Sequence, residues 1–292
     1  MADLIKKEEF ATELLTEESL DNIQHVNNPV LDVPTIEKKY LGKVISYAKE
    51  GNAFYFTDGK AKVKIKVVSD EIIRVRLAPQ GTFLNEFSYA VIETDFHSVS
   101  YTVSEEEDVF KVSTNAVCCI IRKADFLIQF EDLQGQLINS DYAPMHWEES
   151  PDFGGYYVYN TKTANADEVF YGLGDKATNL NLRGKRFSNW NSDTYGYAFN
   201  QDPLYKTIPF YIGLTQGNAY GIFFDNTFKT FFDFAAEKND QTRFWSEGGE
   251  LQYYYIHGPQ MMDVVKRYHT LTGSHFMPPL WAIGYHQCRW SY

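Results

Sequence analysis

From Tyr40 onward, apolar and polar residues alternate along the chain with a period of two. The stretch "AKVKIKVV" sets Val63, Ile65 and Val67 against Lys62, Lys64 and Lys66, and "IIRVRL" sets Ile73, Val75 and Leu77 against Arg74 and Arg76. Successive side chains of a strand point to opposite faces, so this spacing predicts half-buried antiparallel strands. "FLIQFEDLQGQLI" reads as two strands about a turn at Gln134 and Gly135. The rhythm continues, broken by turn signals, to about His257. Many short strands in this order predict an all-β domain, a large antiparallel β-sandwich over residues 39–257.

The rhythm differs on either side. Residues 1–38 read as an N-terminal accessory segment, with a helical pattern from Glu8 to Asn22 that "VNNPVLDVP" interrupts. In "GPQMMDVVKRYHTLTG" the residues Met261, Val264, Val265, Tyr268 and Leu271 fall at helical spacing. They predict a connector helix over residues 258–275, with Pro259 in its first turn and Gly273 as its C-terminal cap. The last stretch, "FMPPLWAIGYHQCRWSY" over residues 276–292, passes two prolines and then alternates Trp281, Ile283 and Tyr285. That alternation predicts one further strand.

Composition sharpens this picture. Aromatic residues make up 16% of the 292, which favours strands and also surfaces that stack on rings or sugars. The formal charge of −12 would repel a phosphate backbone, so no nucleic-acid partner is expected. No apolar run approaches the roughly 18 residues of a membrane span, and the first residues lack the apolar core of a secretory signal. A cytoplasmic protein is expected. Cys118, Cys119 and Cys288 cannot make a disulfide framework and read as small strand residues.

Several motifs are decoys. "FYGLGDKA" reads G-x-G-x-x-A, and Asp193 lies about where a ribose-binding acid would stand. The Asn-rich, aromatic stretch after it is no amphipathic helix, so no dinucleotide is expected. The seven histidines are scattered without zinc-site spacing, and no metal or cofactor is expected. The G-x-S-x-G elbow of serine hydrolases does not occur.

"FSNWNSDTYGYAFNQDPLY" is different. It interleaves Trp190, Tyr195, Tyr197 and Phe199 with Asn189, Asn191, Asp193, Thr194, Asn200 and Asp202. Flat rings cover the apolar faces of a pyranose, and Asp and Asn side chains bond vicinal hydroxyls. A sugar-binding loop and a packed plug at one end of the sandwich account for this mixture equally well.

Seven stretches follow one another in a specific order: "FYGLGDK", "NWNSD", "PLYKTIPFYIGL", "AYGIFFDNTFKTFFDF", "GGELQYYYIHGP", "VVKRYHTLTG" and "MPPLWAIGYHQCRW". Over about residues 168–292 the chain thereby resembles glycoside hydrolase family 31, the α-glucosidase family. The resemblance implies a galactose mutarotase-like sandwich followed by a (β/α)8 barrel, with residues 276–292 entering as the first barrel strand of a truncated barrel. It implies a retaining hydrolase of terminal α-linked glucose, acting on an oligosaccharide or α-glucoside. The nucleophile and the acid/base are aspartates on later barrel strands, so no residue of this chain is expected to be catalytic and the fragment is expected to be inactive alone. By position, Asp193 would bind hydroxyls of the sugar at subsite −1, although Ser192 replaces the usual Arg. Thr194 would lie beside that subsite, and Trp290 would line the pocket. The alternatives are a free-standing carbohydrate-binding sandwich, another family activity such as α-xylosidase, and an assembly role in which the helix and final strand join copies into a homo-oligomer.

Overall fold

The computed structural model describes residues 36–92, 99–150 and 154–287. The chain divides into two compact units, Met1–Ile36 and Glu37–Tyr292, and the fold below is that of the second. The helix expected from Glu8 to Asn22 lies outside the described residues, as do Cys288 and Trp290.

Eighteen strands occur among the described residues. In chain order they are β1 (Lys39–Tyr40), β2 (Ser46–Glu50), β3 (Ala53–Thr57), β4 (Lys62–Val67), β5 (Ile72–Ala78), β6 (Thr102–Glu105), β7 (Val109–Ser113), β8 (Cys118–Arg122) and β9 (Ile128–Glu131). There follow β10 (Leu137–Glu149), β11 (Tyr156–Thr163), β12 (Val169–Gly174), β13 (Lys185–Asn189), β14 (Thr207–Thr215), β15 (Asn218–Phe224), β16 (Thr230–Phe234), β17 (Gln241–Ser246) and β18 (Leu251–His257). One sheet runs β13-β16-β17-β11-β10-β9-β8-β7-β6, with β1 also paired to β10. The other runs β12-β14-β15-β18-β5-β4-β3-β2. Every pairing is antiparallel, and the two sheets close on one aromatic core, as the alternation predicted. Phe130 of β9 stacks on Tyr255 of β18 at 3.8 Å, joining the sheets near their centres.

The core also holds charge. Lys162 and Asp141 face each other at 2.8 Å, both fully buried. Asp141 further accepts the Ile128 N–H and the Asn160 amide, and Lys162 donates to the Tyr253 hydroxyl. Glu168, 1% exposed, accepts bonds from the Tyr220 hydroxyl and the Asn165 N–H. Burial outweighs these bonds and raises its carboxyl to about 7.

Two strands depart from the half-buried expectation. All residues of β5 and β18 are buried, although only one face of each meets the core. On the outer face, Lys64 of β4 and Arg74 and Arg76 of β5 converge on Glu86, which arrives from the segment after β5. Arg76 also pairs with Glu250. Burial would raise the Glu86 carboxyl, but the Lys64 and Arg74 contacts prevail and hold it at about 2. The two arginines, read as solvent-facing, are therefore covered and neutralised.

The outer face of β18 and β15 is covered by α1 (Met261–Thr272). Val264 and Leu271 of α1 are buried there, each worth roughly 1.5–3 kcal/mol, and Tyr268 stacks on Phe210 at 4.0 Å. Gly221 permits this approach: a Cβ there would come within 2.6 Å of Val264. Gly273 caps the helix as expected, whereas Pro259 stands just before the Gln260 N-cap rather than in the first turn.

Residues 276–287 correct the last sequence expectation. They form no strand: a short 3-10 turn spans Leu280–Ile283, and Trp281, Ile283 and Tyr285 are exposed. A strand needs a neighbour to pair its N–H and C=O groups, and no described strand is paired to this segment.

Candidate functional site

The stretch singled out for its chemistry is the connection from β13 to β14. Its ends are tied down. Lys176 donates to Asp202 at 2.6 Å and to the Ser188 carbonyl at 2.9 Å, while Asp202 also accepts the Ser188 N–H. Burial lowers the Lys176 ammonium and the Asp202 contact opposes that shift. Asn191 Oδ1 accepts both the N–H and the hydroxyl of Thr207, at 2.9 and 3.0 Å. Asn200, at φ 67°, accepts bonds from Thr178 and Lys185. Asn tolerates this left-handed conformation better than most residues.

Between these anchors the rings face water. Tyr195 is 95% exposed, Phe199 66%, and Trp190 and Tyr197 52% each. A plug packed into the end of the sandwich would bury its rings, and this loop displays them. Exposed rings on an anchored backbone are costly in water and suited to a ligand.

Asp193 is exposed on this loop and has no hydrogen-bond or ion-pair partner among the described residues. Its carboxylate is open to a ligand hydroxyl. Thr194 is turned inward. Its hydroxyl lies 3.4 Å from the Pro203 carbonyl, and its own carbonyl accepts the Tyr205 hydroxyl at 2.6 Å. It braces the loop more than it presents a ligand group. Trp290 lies outside the described residues, so its relation to the loop is not part of this geometry. Among the described residues, no group of three or more His, Cys, Asp or Glu side chains is placed to hold a metal ion. No described helix is long and apolar enough to cross a membrane.

At the base of the loop opens a cleft of about 510 Å3. Trp190 enters it from the loop, Asn189 from the end of β13, Phe228 from the β15–β16 turn, and Tyr89 from the segment after β5. Sequence reasoning missed Phe228 and Tyr89. Phe228 lay within "AYGIFFDNTFKTFFDF", where its position after Asn226 marked a turn. Tyr89 carries no local signal, because only the tertiary fold brings it here.

Residues 62–233 match the family model described as the glycosyl hydrolase 31 N-terminal galactose mutarotase-like domain. The chain is 32% identical over 258 residues to alpha-glucosidase 2 of Bacillus thermoamyloliquefaciens, covering 86% of this chain and 31% of that protein. It is 35% identical over 163 residues to the alpha-xylosidase XylQ of Lactiplantibacillus pentosus, covering 56% of this chain and 20% of that one. Among solved structures, the Flavobacterium johnsoniae GH31 dextranase complexed with isomaltotriose superposes with a TM-score of 0.77 at 36% identity. That match covers 85% of this chain and 30% of the dextranase. The chain thus spans less than a third of the length of these relatives.

Proposed function

Since the chain belongs to glycoside hydrolase family 31, we propose that it is the sandwich portion of a retaining α-glucosidase and that its β13–β14 loop closes the sugar pocket. The observation that carries this reading is the anchored loop, with displayed rings and an unpartnered Asp193. The carboxylate accepts hydroxyl protons of a terminal glucose, each charge-assisted bond contributing about 1.5–3 kcal/mol. The rings cover the sugar's apolar faces and exclude water. Thr194 holds the loop in shape through its Pro203 and Tyr205 contacts. Retention needs two carboxyl groups about 5–5.5 Å apart, and no residue of this chain is assigned to either role. The free thiols Cys118 and Cys119 suit a reducing compartment such as the cytoplasm.

The test is an assay of the 292-residue chain on p-nitrophenyl α-glucoside, with the α-xyloside as a second arm because one relative is named an alpha-xylosidase. No turnover is expected on either. Clear turnover at ordinary enzyme rates would overturn the assignment of catalysis to residues outside this chain. In a longer chain active on both substrates, preference for the xyloside would displace glucose as the substrate.

A further inference from the structure

We propose that Lys176 is the positioning residue of the Asp193 loop, its ammonium holding the two ends of the loop together so that the Asp193 carboxylate stays where a sugar meets it. The proposal deepens the carbohydrate reading and rests on it. It also gives a role to "FYGLGDKA", the stretch that only mimics a dinucleotide motif.

The loop leaves the larger sheet at its edge strand, β13. Ser188, one residue before the end of β13, meets side chains where a further strand would otherwise lie. Its N–H donates to Asp202, and its carbonyl accepts the Lys176 ammonium at 2.9 Å. Lys176 also donates to Asp202 at 2.6 Å, which closes a ring of three residues across the base of the loop. Asp193 lies between Ser188 and Asp202, so the distance fixed between those two sets how far the loop reaches.

The other ties of the loop are exposed. Water competes for the bonds of Asn191 to Thr207, of Asn200 to Thr178 and Lys185, and of Tyr205 to Thr194. The Lys176 side chain is only 3% exposed and that of Asp202 15%, and the ammonium packs over the Phe187 ring at 5.3 Å. A covered ion pair is screened much less than an exposed one.

The lysine is delivered by a strained turn. Gly172, Leu173 and Gly174 have φ of 132°, 68° and 79°. A Cβ on Gly172 would come within 2.5 Å of the Phe210 carbonyl oxygen, and one on Gly174 within 2.5 Å of the Lys206 carbonyl oxygen. Leu173 takes the left-handed conformation without being glycine, and its burial in the aromatic core keeps it there. The register of β12 against β14 shifts at this point. Asp175 then clasps Lys206, its N–H donating to the Lys206 carbonyl at 2.7 Å and its carboxylate accepting the Lys206 N–H at 3.2 Å. Such strain persists where the surroundings over-determine it, and it collects where a side chain must be placed. The side chain placed here is Lys176.

The 15N-labelled 292-residue chain is titrated with glucose, maltose and isomaltose into the millimolar range, and the backbone signals of residues 189–201 are followed. Lys176→Met alone would leave Asp202 without its cation, so the principal variant joins it to Asp202→Asn and removes both charges. In the expected result, the 189–201 amides of this variant lose order in 15N relaxation without sugar, and its sugar-induced shifts saturate at concentrations at least about tenfold higher. Lys176→Arg, which keeps the cation, retains both loop order and affinity. Unchanged affinity in the charge-free variant would overturn the positioning role and leave the carbohydrate reading standing. Weaker binding by a loop that stays ordered would overturn it too, since the lysine would then act by some route other than loop geometry. A parent chain silent to all three sugars would remove the carbohydrate reading, and the positioning role with it.

Discussion

Glu168 shows how much a single buried group governs. Its folded-state carboxyl is raised to about 7, chiefly by burial, against an ordinary value of 4.5. The native protein therefore binds this proton more tightly than the unfolded chain does. The resulting stabilisation is complete below about pH 4.5 and is lost as pH rises through about 7, with a ceiling of roughly 3 kcal/mol. Glu168→Gln keeps an acceptor and a donor for Asn165 and Tyr220, so it should flatten this part of the pH profile. Urea midpoints measured on both sides of neutrality check it. Asp193 is the opposite case. It is exposed and unpartnered, so Asp193→Ala should leave the unfolding free energy in urea within about 0.5 kcal/mol of the parent while weakening sugar-induced shifts in its loop. The two residues also differ in legibility. Asp193 stood out because acids and rings share a stretch without regular period. Glu168 did not, because burial belongs to the fold and leaves no mark on neighbouring letters.

At the scale of elements, strand periodicity was readable and its environment was not. The alternation in β5 located the strand and its inward residues, Ile73, Val75 and Leu77. It placed Arg74 and Arg76 in water because nothing local announces that residues 84–92 return across them. The Glu86 contact that neutralises them can be tested. Glu86→Ala leaves Lys64, Arg74 and Arg76 facing one another. Its side chain is 42% exposed, so solvent screens the loss, expected at about 1–2 kcal/mol by chemical denaturation. In the parent protein the Glu86 contribution is present above about pH 4.5 and is lost as pH falls through about 2. The Lys162–Asp141 pair has no such screening. Lys162→Ala strands a buried carboxylate and should cost about 3–5 kcal/mol, more than the Glu86 effect. The helix was legible from its spacing and its Gly273 cap. The strand expected at 276–292 was not found in residues 276–287, since alternation supplies a face and only a neighbour supplies a ladder.

At the scale of the whole molecule, the sandwich class followed from strand after strand of period two, but the order of strands within the sheets did not. Pairings such as β5 with β18 and β11 with β17 join distant parts of the chain, and no local pattern encodes them. The smaller sheet shows the effect most clearly. Strands β2 to β5 form one run, β12, β14 and β15 another, and β18 is the strand between them. A chain ending at Glu250 would leave β5 and β15 as two open, apolar edges, and light scattering should show it aggregating where the 292-residue chain stays dispersed. This placement of β18 has a consequence on the ribosome. Arg76 and its partner Glu250 are 174 residues apart. At a synthesis rate of about 5–20 residues per second, β5 waits roughly 9–35 s for the strand that covers it. For that interval a nascent chain exposes an edge flanked by buried-type residues, which is the surface a chaperone recognises. The last strand of the sandwich thus sets how long its first strands need protection.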